Sequence, residues 1–126
     1  MARSVTPGRT RTAVATLILV LSGGAVLGAC GGQSADALAH KACLEVQRSI
    51  NLYDQSQREA NPATRAELAS KALSVLRLAL QPAAMAGGGG GQWEALEITL
   101  SESNRVAEAT LIPALTAQCA LPLQSN

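Results

Sequence analysis

The chain has 126 residues, of which 48% are hydrophobic and only 2% aromatic, and its formal net charge is +1. Residues 30–126 carry seven basic and nine acidic side chains, which argues against nucleic-acid binding because that function needs a basic surface. The aromatic residues are Tyr53 and Trp93 alone, which argues against carbohydrate binding, since sugars usually stack on several exposed rings.

The first thirty residues contain three arginines, then an apolar run that begins near Ala13, and finally Leu27-Gly28-Ala29-Cys30. A basic start, an apolar stretch and small residues are typical of a secretory signal peptide. With a cysteine at the cleavage point, the segment resembles the lipobox signal of bacterial lipoproteins. This resemblance implies cleavage between Ala29 and Cys30 and a diacylglycerol, with fatty acids such as palmitate, on the Cys30 thiol.

The resemblance covers residues 1–33 and implies a protein anchored by lipid on the extracytoplasmic face of the cell membrane. A cleaved signal without lipid and a retained membrane helix are the alternatives. Thr16 and Ser22 interrupt the apolar run, whereas a membrane span needs about 20 consecutive apolar residues. Rich in alanine and arginine, the mature part loosely resembles small lipoproteins of actinobacteria.

The sequence divides into a signal peptide (1–29), a lipidated cysteine with a flexible tether (30–34), a helical domain (35–121) and a C-terminal tail (122–126). A first helix is predicted over residues 35–60, with Ser34 as its N-cap. A second is predicted over residues 62–81, with Pro82 ending it. The spacing of apolar residues predicts their buried faces. These faces are Ala39, Cys43, Val46, Ile50 and Tyr53 on the first helix, and Ala66, Ala69, Leu73, Leu76 and Leu80 on the second.

Residues 83–91 end in five glycines and are predicted to form a flexible loop. A third helix is predicted from Gln92, with Trp93, Leu96 and Leu100 on its apolar edge. Because proline is tolerated in the first turn of a helix but not in its interior, we expect a break within residues 103–108, before Pro113. A fourth helix is then predicted over residues 110–120, with Pro122 ending it and its inner face formed by Ile112, Leu115 and Cys119.

Cys43 and Cys119 remain once Cys30 is assigned to the lipid, and an exported domain favours a disulfide between them. In a three-helix bundle with an unbroken last helix the two would lie on the order of 20 Å apart, too far for a disulfide. The prediction is therefore an all-α, up-down-up-down four-helix bundle stapled by one disulfide, with a three-helix bundle as the alternative. A metal or redox site and a catalytic cysteine are weaker alternatives for this pair.

Catalytic chemistry has few candidate residues. His40 is the single histidine and is interpreted as a surface residue near the tether. Glu94 and Glu97 share a helix face and could form an acid–base pair, but a solvated mixed-charge face with Glu102, Arg105 and Glu108 explains them more simply. The sequence therefore predicts no enzyme, no metal and no cofactor beyond the diacylglycerol on Cys30.

Trp93 is the candidate contact for a ligand or partner, because a large ring beside a glycine loop either closes the end of the bundle or marks a groove. The expected function is that of a lipid-anchored, non-enzymatic binding or accessory module of the cell envelope. Its expected partners are the membrane, through the anchor, and an envelope protein. Carriage of a small apolar ligand or lipid between the helices is the alternative, and an enzyme is the third hypothesis.

Overall fold

The computed structural model describes residues 32–88 and 90–124, and the predicted signal peptide and Cys30 lie outside these ranges. From Gln33 onward the chain forms one compact unit. None of the helices in these ranges is long and apolar enough to span a membrane. The helices are α1 (Ala35–Arg58), α2 (Pro62–Gly87), α3 (Glu94–Ser101) and α4 (Glu108–Gln124), with a 3₁₀ turn at Glu102–Asn104.

Each helix packs against the next one along the chain, and α4 returns to pack against α1. His40 near the start of α1 contacts Pro122 near the end of α4, whereas Ser49 farther along α1 contacts Glu108 at the start of α4. These pairs show that α1 and α4 are antiparallel. The up-down-up-down four-helix bundle is therefore confirmed, and the three-helix alternative is wrong because the last segment breaks at residues 102–107, before Pro113.

The start of α1 is defined by Ser34, whose Oγ accepts a hydrogen bond from the Ala37 N–H at 3.1 Å. The predicted buried face is largely confirmed, since Ala39, Cys43 and Val46 are at most 1% exposed and the two later positions are half-buried. The helix ends at Arg58, two residues earlier than predicted. Asn61 then caps α2, where its Oδ1 accepts hydrogen bonds from two backbone N–H groups.

The prediction for α2 is wrong at its end and in the position of its buried face. The helix continues past Pro82 to Gly87, although an interior proline costs about 3 kcal/mol. Burial of the residues around and beyond the proline offsets this cost, because Pro82 and the next apolar positions lie inside the bundle. The buried line consists of Ala72, Leu76, Ala79, Ala83 and Ala86. Of the predicted stripe only Leu76 is fully buried, while Ala66 is exposed and Ala69, Leu73 and Leu80 are half-buried.

The buried faces of α3 and α4 agree closely with those predicted from the sequence. Leu96 and Leu100 of α3 are buried, as are Leu115 and Cys119 of α4, whereas Ile112 is half-buried. α4 is longer than predicted at both ends and passes through Pro113 and Pro122, so residues 122–124 are helical rather than a tail. Burial of Pro122 and the hydrogen bond to its carbonyl oxygen help to hold this last turn in place.

The disulfide between Cys43 and Cys119 is present, with the two Cα atoms 5.3 Å apart and both side chains buried. It joins α1 to α4 across 76 positions of sequence. In the chain-entropy model a crosslink of this span stabilises the fold by roughly 4 kcal/mol, which is a large share of the stability of a small domain. The bond therefore fixes how the last helix lies against the first.

Candidate functional site

An open cleft lies at one end of the bundle, where the start of α1, the turn before α3 and the end of α4 meet. Its volume is about 570 Å³. We name this end of the molecule, formed by residues 34–37, 90–93 and 120–124, the tether end, because residues 32–34 lead into it. The cleft is lined by Asp36, Ala37, His40, Gln92, Trp93, Leu121 and Pro122.

Trp93 forms one wall of the cleft. The ring is half-buried and packs against the apolar core, and its Nε1 donates a hydrogen bond of 2.9 Å to Asp36 Oδ1. The same oxygen accepts a second hydrogen bond, 3.1 Å long, from Gln92 Nε2. The carboxylate of Asp36 therefore holds the tryptophan and the turn before α3 against the first turn of α1. Trp93 packs against the end of the core and borders the cleft, and its contact with a ligand or partner stays a prediction.

His40 is not the surface residue that the sequence predicted. It is half-buried, and its Nδ1 lies 2.7 Å from the carbonyl oxygen of Pro122. A carbonyl oxygen can only accept a hydrogen bond, so Nδ1 must carry the proton. When the ring is neutral, Nε2 is therefore its hydrogen-bond acceptor. The imidazole ties α1 to the end of α4 about one helical turn from the disulfide.

Gly87 sets the position of the turn that carries Trp93. A Cβ atom placed on this glycine would lie 2.7 Å from Glu97 Oε2, 3.0 Å from the Trp93 carbonyl oxygen and 3.2 Å from Glu94 Cα. α2 and α3 therefore meet so closely that a side chain larger than that of glycine would push the Glu97 carboxylate aside and shift the start of α3. Gly90 and Gly91 complete the turn with positive φ angles of 76° and 96°, a conformation that favours glycine.

The carboxylates proposed as an acid–base pair do not line the cleft that contains His40. Glu94 is exposed and Glu97 is half-buried on α3, where the Glu97 side chain lies over Gly87. In the described ranges no three histidine, cysteine or acidic side chains are grouped so that they could hold a metal ion. The polar groups that the fold brings together in the cleft are Asp36, His40 and Gln92, beside an apolar wall.

The prediction for Glu108 is also wrong, because this residue is buried and is not part of a solvated charged face. Its Oε1 lies 2.5 Å from Ser49 Oγ, which in turn lies 2.7 Å from the carbonyl oxygen of Ala72. Burial raises the pKa of the Glu108 carboxyl group above its usual value, and the hydrogen bond with Ser49 acts in the opposite direction. This polar chain links α1, α2 and α4 inside the bundle.

No protein-family model matches the chain, and no curated protein and no solved structure matches it either. Sequence reasoning selected Trp93 for its rarity but missed Asp36, Gln92 and Leu121, which the fold places around it. Asp36 gave only the ordinary indication of an acidic residue in a first helical turn, and its contact with Trp93 spans 57 positions.

Proposed function

We propose that the mature chain is a lipoprotein, held at the extracytoplasmic face of the cell membrane by a diacylglycerol on Cys30. Its folded part is a non-enzymatic binding or accessory module of the envelope. The anchor is proposed from the lipobox-like sequence around Cys30. The folded module is the disulfide-linked bundle of residues 35–124.

The observation that carries this proposal is the buried disulfide between Cys43 and Cys119. Structural disulfides persist in oxidising compartments and are rare in the cytosol, so the bond supports an exported domain. The chain has three cysteines, and the disulfide uses two of them. Cys30, the residue at the lipobox position, is the one whose thiol stays available for lipid.

The arrangement of the polar residues supports a binding role over catalysis. His40 lines the cleft without Glu94 or Glu97, so the groups that an acid–base mechanism would need lie at different places. A carrier of an apolar ligand would be favoured by an apolar pocket between the helices. The cleft beside Trp93 is open, and three of its seven lining residues are polar. A second open cleft, of about 350 Å³, lies between α1 and α4, and the polar Gln47, Asn51 and Thr116 are among its nine lining residues. A partner protein in the envelope is therefore the proposed binding partner.

The test is native mass spectrometry of the protein extracted from its own host's membranes, with and without reductant. The proposal predicts a mass that begins at Cys30 and includes a diacylglycerol, with a gain of two hydrogens on reduction. A Cys30→Ser variant should leave the membrane fraction, whereas the matched Gln33→Ala variant should stay in it. An intact N-terminus with free thiols would overturn the proposal, and a retained small molecule would favour the carrier instead.

A further inference from the structure

We infer that the tether end of the bundle rests on the lipid surface, with Trp93 and Leu121 in the membrane interface. The inference builds on the proposed lipid anchor at Cys30. It adds an orientation: the bundle stands on the membrane with its cleft facing the lipid headgroups, so the surface left for the proposed protein partner is the opposite end, which faces away. The surface it assigns is formed by the start of α1, the turn before α3 and the end of α4.

A short covalent linker joins the proposed anchor at Cys30 to the bundle. Five residue steps separate Cys30 from Ala35, where α1 begins. A fully extended chain spans at most about 3.6 Å per residue, so the start of α1 can lie no more than about 18 Å from Cys30 Cα. A short linker gives the two linked partners a high effective concentration, so even a weak preference of this surface for lipid sets its orientation.

The second argument is the distribution of charge between the two ends of the bundle. Among residues 34–37, 90–93 and 120–124, which form the tether end, Asp36 is the one charged side chain, and the exposed Glu94 follows Trp93 directly. The Asp36 carboxylate already accepts hydrogen bonds from Trp93 and Gln92. The opposite end, at residues 54–67 around the turn between α1 and α2, carries five charged side chains: Asp54, Arg58, Glu59, Arg65 and Glu67. The less charged end is the end that the anchor brings to the membrane.

The third argument is the chemistry of the exposed apolar groups at the tether end. Leu121, in the last turn of α4, is 71% exposed. Trp93 is half-buried, with its ring packed against the core and its N–H fixed by Asp36. Tryptophan is enriched at membrane–water interfaces because its ring is apolar while its N–H can bond to polar groups. The pair therefore matches the boundary between headgroups and acyl chains.

Trp93 is the single tryptophan of the chain, so its fluorescence reports on this surface alone. The mature protein, purified from host membranes, is reconstituted into phosphatidylcholine–phosphatidylglycerol vesicles. One set of vesicles contains lipids whose acyl chains are brominated at positions close to the headgroups. We expect a blue-shifted emission, quenching by the brominated lipid, and loss of quenching by aqueous iodide relative to an unlipidated Cys30→Ser protein mixed with the same vesicles.

Two substitutions distinguish insertion of this surface into the lipid from its merely being held close to the membrane by the anchor. Leu121→Gln should reduce quenching by the brominated lipid and restore quenching by iodide. Leu78→Gln is the matched control, because Leu78 is 61% exposed in the middle of α2, and it should leave both unchanged. If Cys30 carries lipid but iodide still quenches Trp93 as strongly as in the unlipidated protein, this inference alone would be overturned. A mass spectrum without lipid on Cys30 would overturn the proposed function and this inference together.

Discussion

The Oγ atom of Ser49 lies 2.5 Å from Glu108 Oε1 and 2.7 Å from the carbonyl oxygen of Ala72. A hydroxyl group has one hydrogen, so it can donate to only one of these two oxygens. If Glu108 is ionised, Ser49 donates its hydrogen either to Glu108 or to Ala72. The contact with the remaining oxygen then has no hydrogen between the two oxygen atoms. If Glu108 is protonated, it donates to Ser49, which donates to Ala72. Burial raises the pKa of the carboxyl group, and its protonated form makes both contacts as hydrogen bonds; a hydrogen donated by Ser49 to the carboxylate acts in the opposite direction.

The first prediction concerns the pH dependence of stability. Because the pKa of Glu108 is raised in the folded chain, its stabilising contribution is complete below the unfolded pKa, about 4.3, and is lost as pH rises through the folded value. Glu108→Gln keeps a hydrogen-bond donor but cannot ionise. The variant should match the parent at acidic pH and become more stable than the parent at neutral pH, measured by urea unfolding across this range. Parallel pH profiles for the two proteins would contradict the assignment.

The second prediction concerns the hydroxyl group that links the three helices. Ser49→Ala removes the bridge and leaves the buried Glu108 carboxyl group without this partner, so we expect a loss of about 1–3 kcal/mol in the free energy of unfolding. Ser74→Ala is the matched control, since Ser74 is exposed and its Oγ donates to the Ser70 carbonyl oxygen within α2. Equal losses from the two variants would show that Ser49 acts only as a local helix residue.

The third prediction concerns the Cys43–Cys119 disulfide. Replacing both cysteines by alanine should lower the free energy of unfolding by roughly 4 kcal/mol, because the bond closes a span of 76 positions. The measurement is guanidinium unfolding of the oxidised parent and the double variant. The variant's midpoint should not respond to reductant, while the parent's should fall to a similar value. An unchanged parent midpoint under full reduction would contradict a structural role.

The sequence predicted the number of helices, their order and the disulfide because each depends on local spacing and on cysteine count. It misplaced the buried face of α2, since the predicted stripe of Ala66, Ala69, Leu73, Leu76 and Leu80 is fully buried only at Leu76, whereas alanines at 72, 79, 83 and 86 face the neighbouring helices. Alanine and leucine are both apolar, and only the distance between packed helices decides between them. The ends of α2 and α4 were misplaced because burial outweighs the local cost of Pro82 and Pro122.

The cleft was less predictable than the fold. Trp93 stood out because the chain has only one tryptophan, but its partner Asp36 comes from another helix, 57 positions away. The sequence predicts a solvated face for Glu108 because it continues the mixed-charge stripe that includes Glu102 and Arg105. Its burial depends on Ser49 lying opposite, which no local pattern reveals. Contacts between distant polar residues thus required the three-dimensional structure.

The fourth prediction concerns the carboxylate that holds Trp93. Asp36→Ala removes the acceptor for the indole N–H, so the emission of the single tryptophan should move to longer wavelength and stability should fall by about 1 kcal/mol. Asp36→Asn keeps a side-chain oxygen at the same place and should retain most of the parental spectrum. If the asparagine variant behaved like the alanine variant, the negative charge rather than the hydrogen bond would be responsible.

The final prediction concerns the contact between α2 and α3. In Gly87→Ala the new Cβ atom would meet the Glu97 carboxylate, which can rotate away, and the backbone of Trp93 and Glu94, which cannot. The start of α3 must therefore shift, at an overpacking cost of about 1–3 kcal/mol. Alanine gains up to about 1 kcal/mol of helix propensity over glycine, so we expect a net loss of about 1–2 kcal/mol in urea unfolding.

The same shift should change the emission of Trp93, because its carbonyl oxygen lies 3.0 Å from the position of the new Cβ atom. Gly32→Ala is the control, since a Cβ atom there has no neighbour within 4 Å, and it should leave both stability and emission unchanged. A Gly87→Ala protein with parental stability and an unaltered spectrum would show that α3 does not depend on this glycine. A loss of stability together with a changed spectrum would show that the close approach of α2 and α3 positions the tryptophan wall of the cleft.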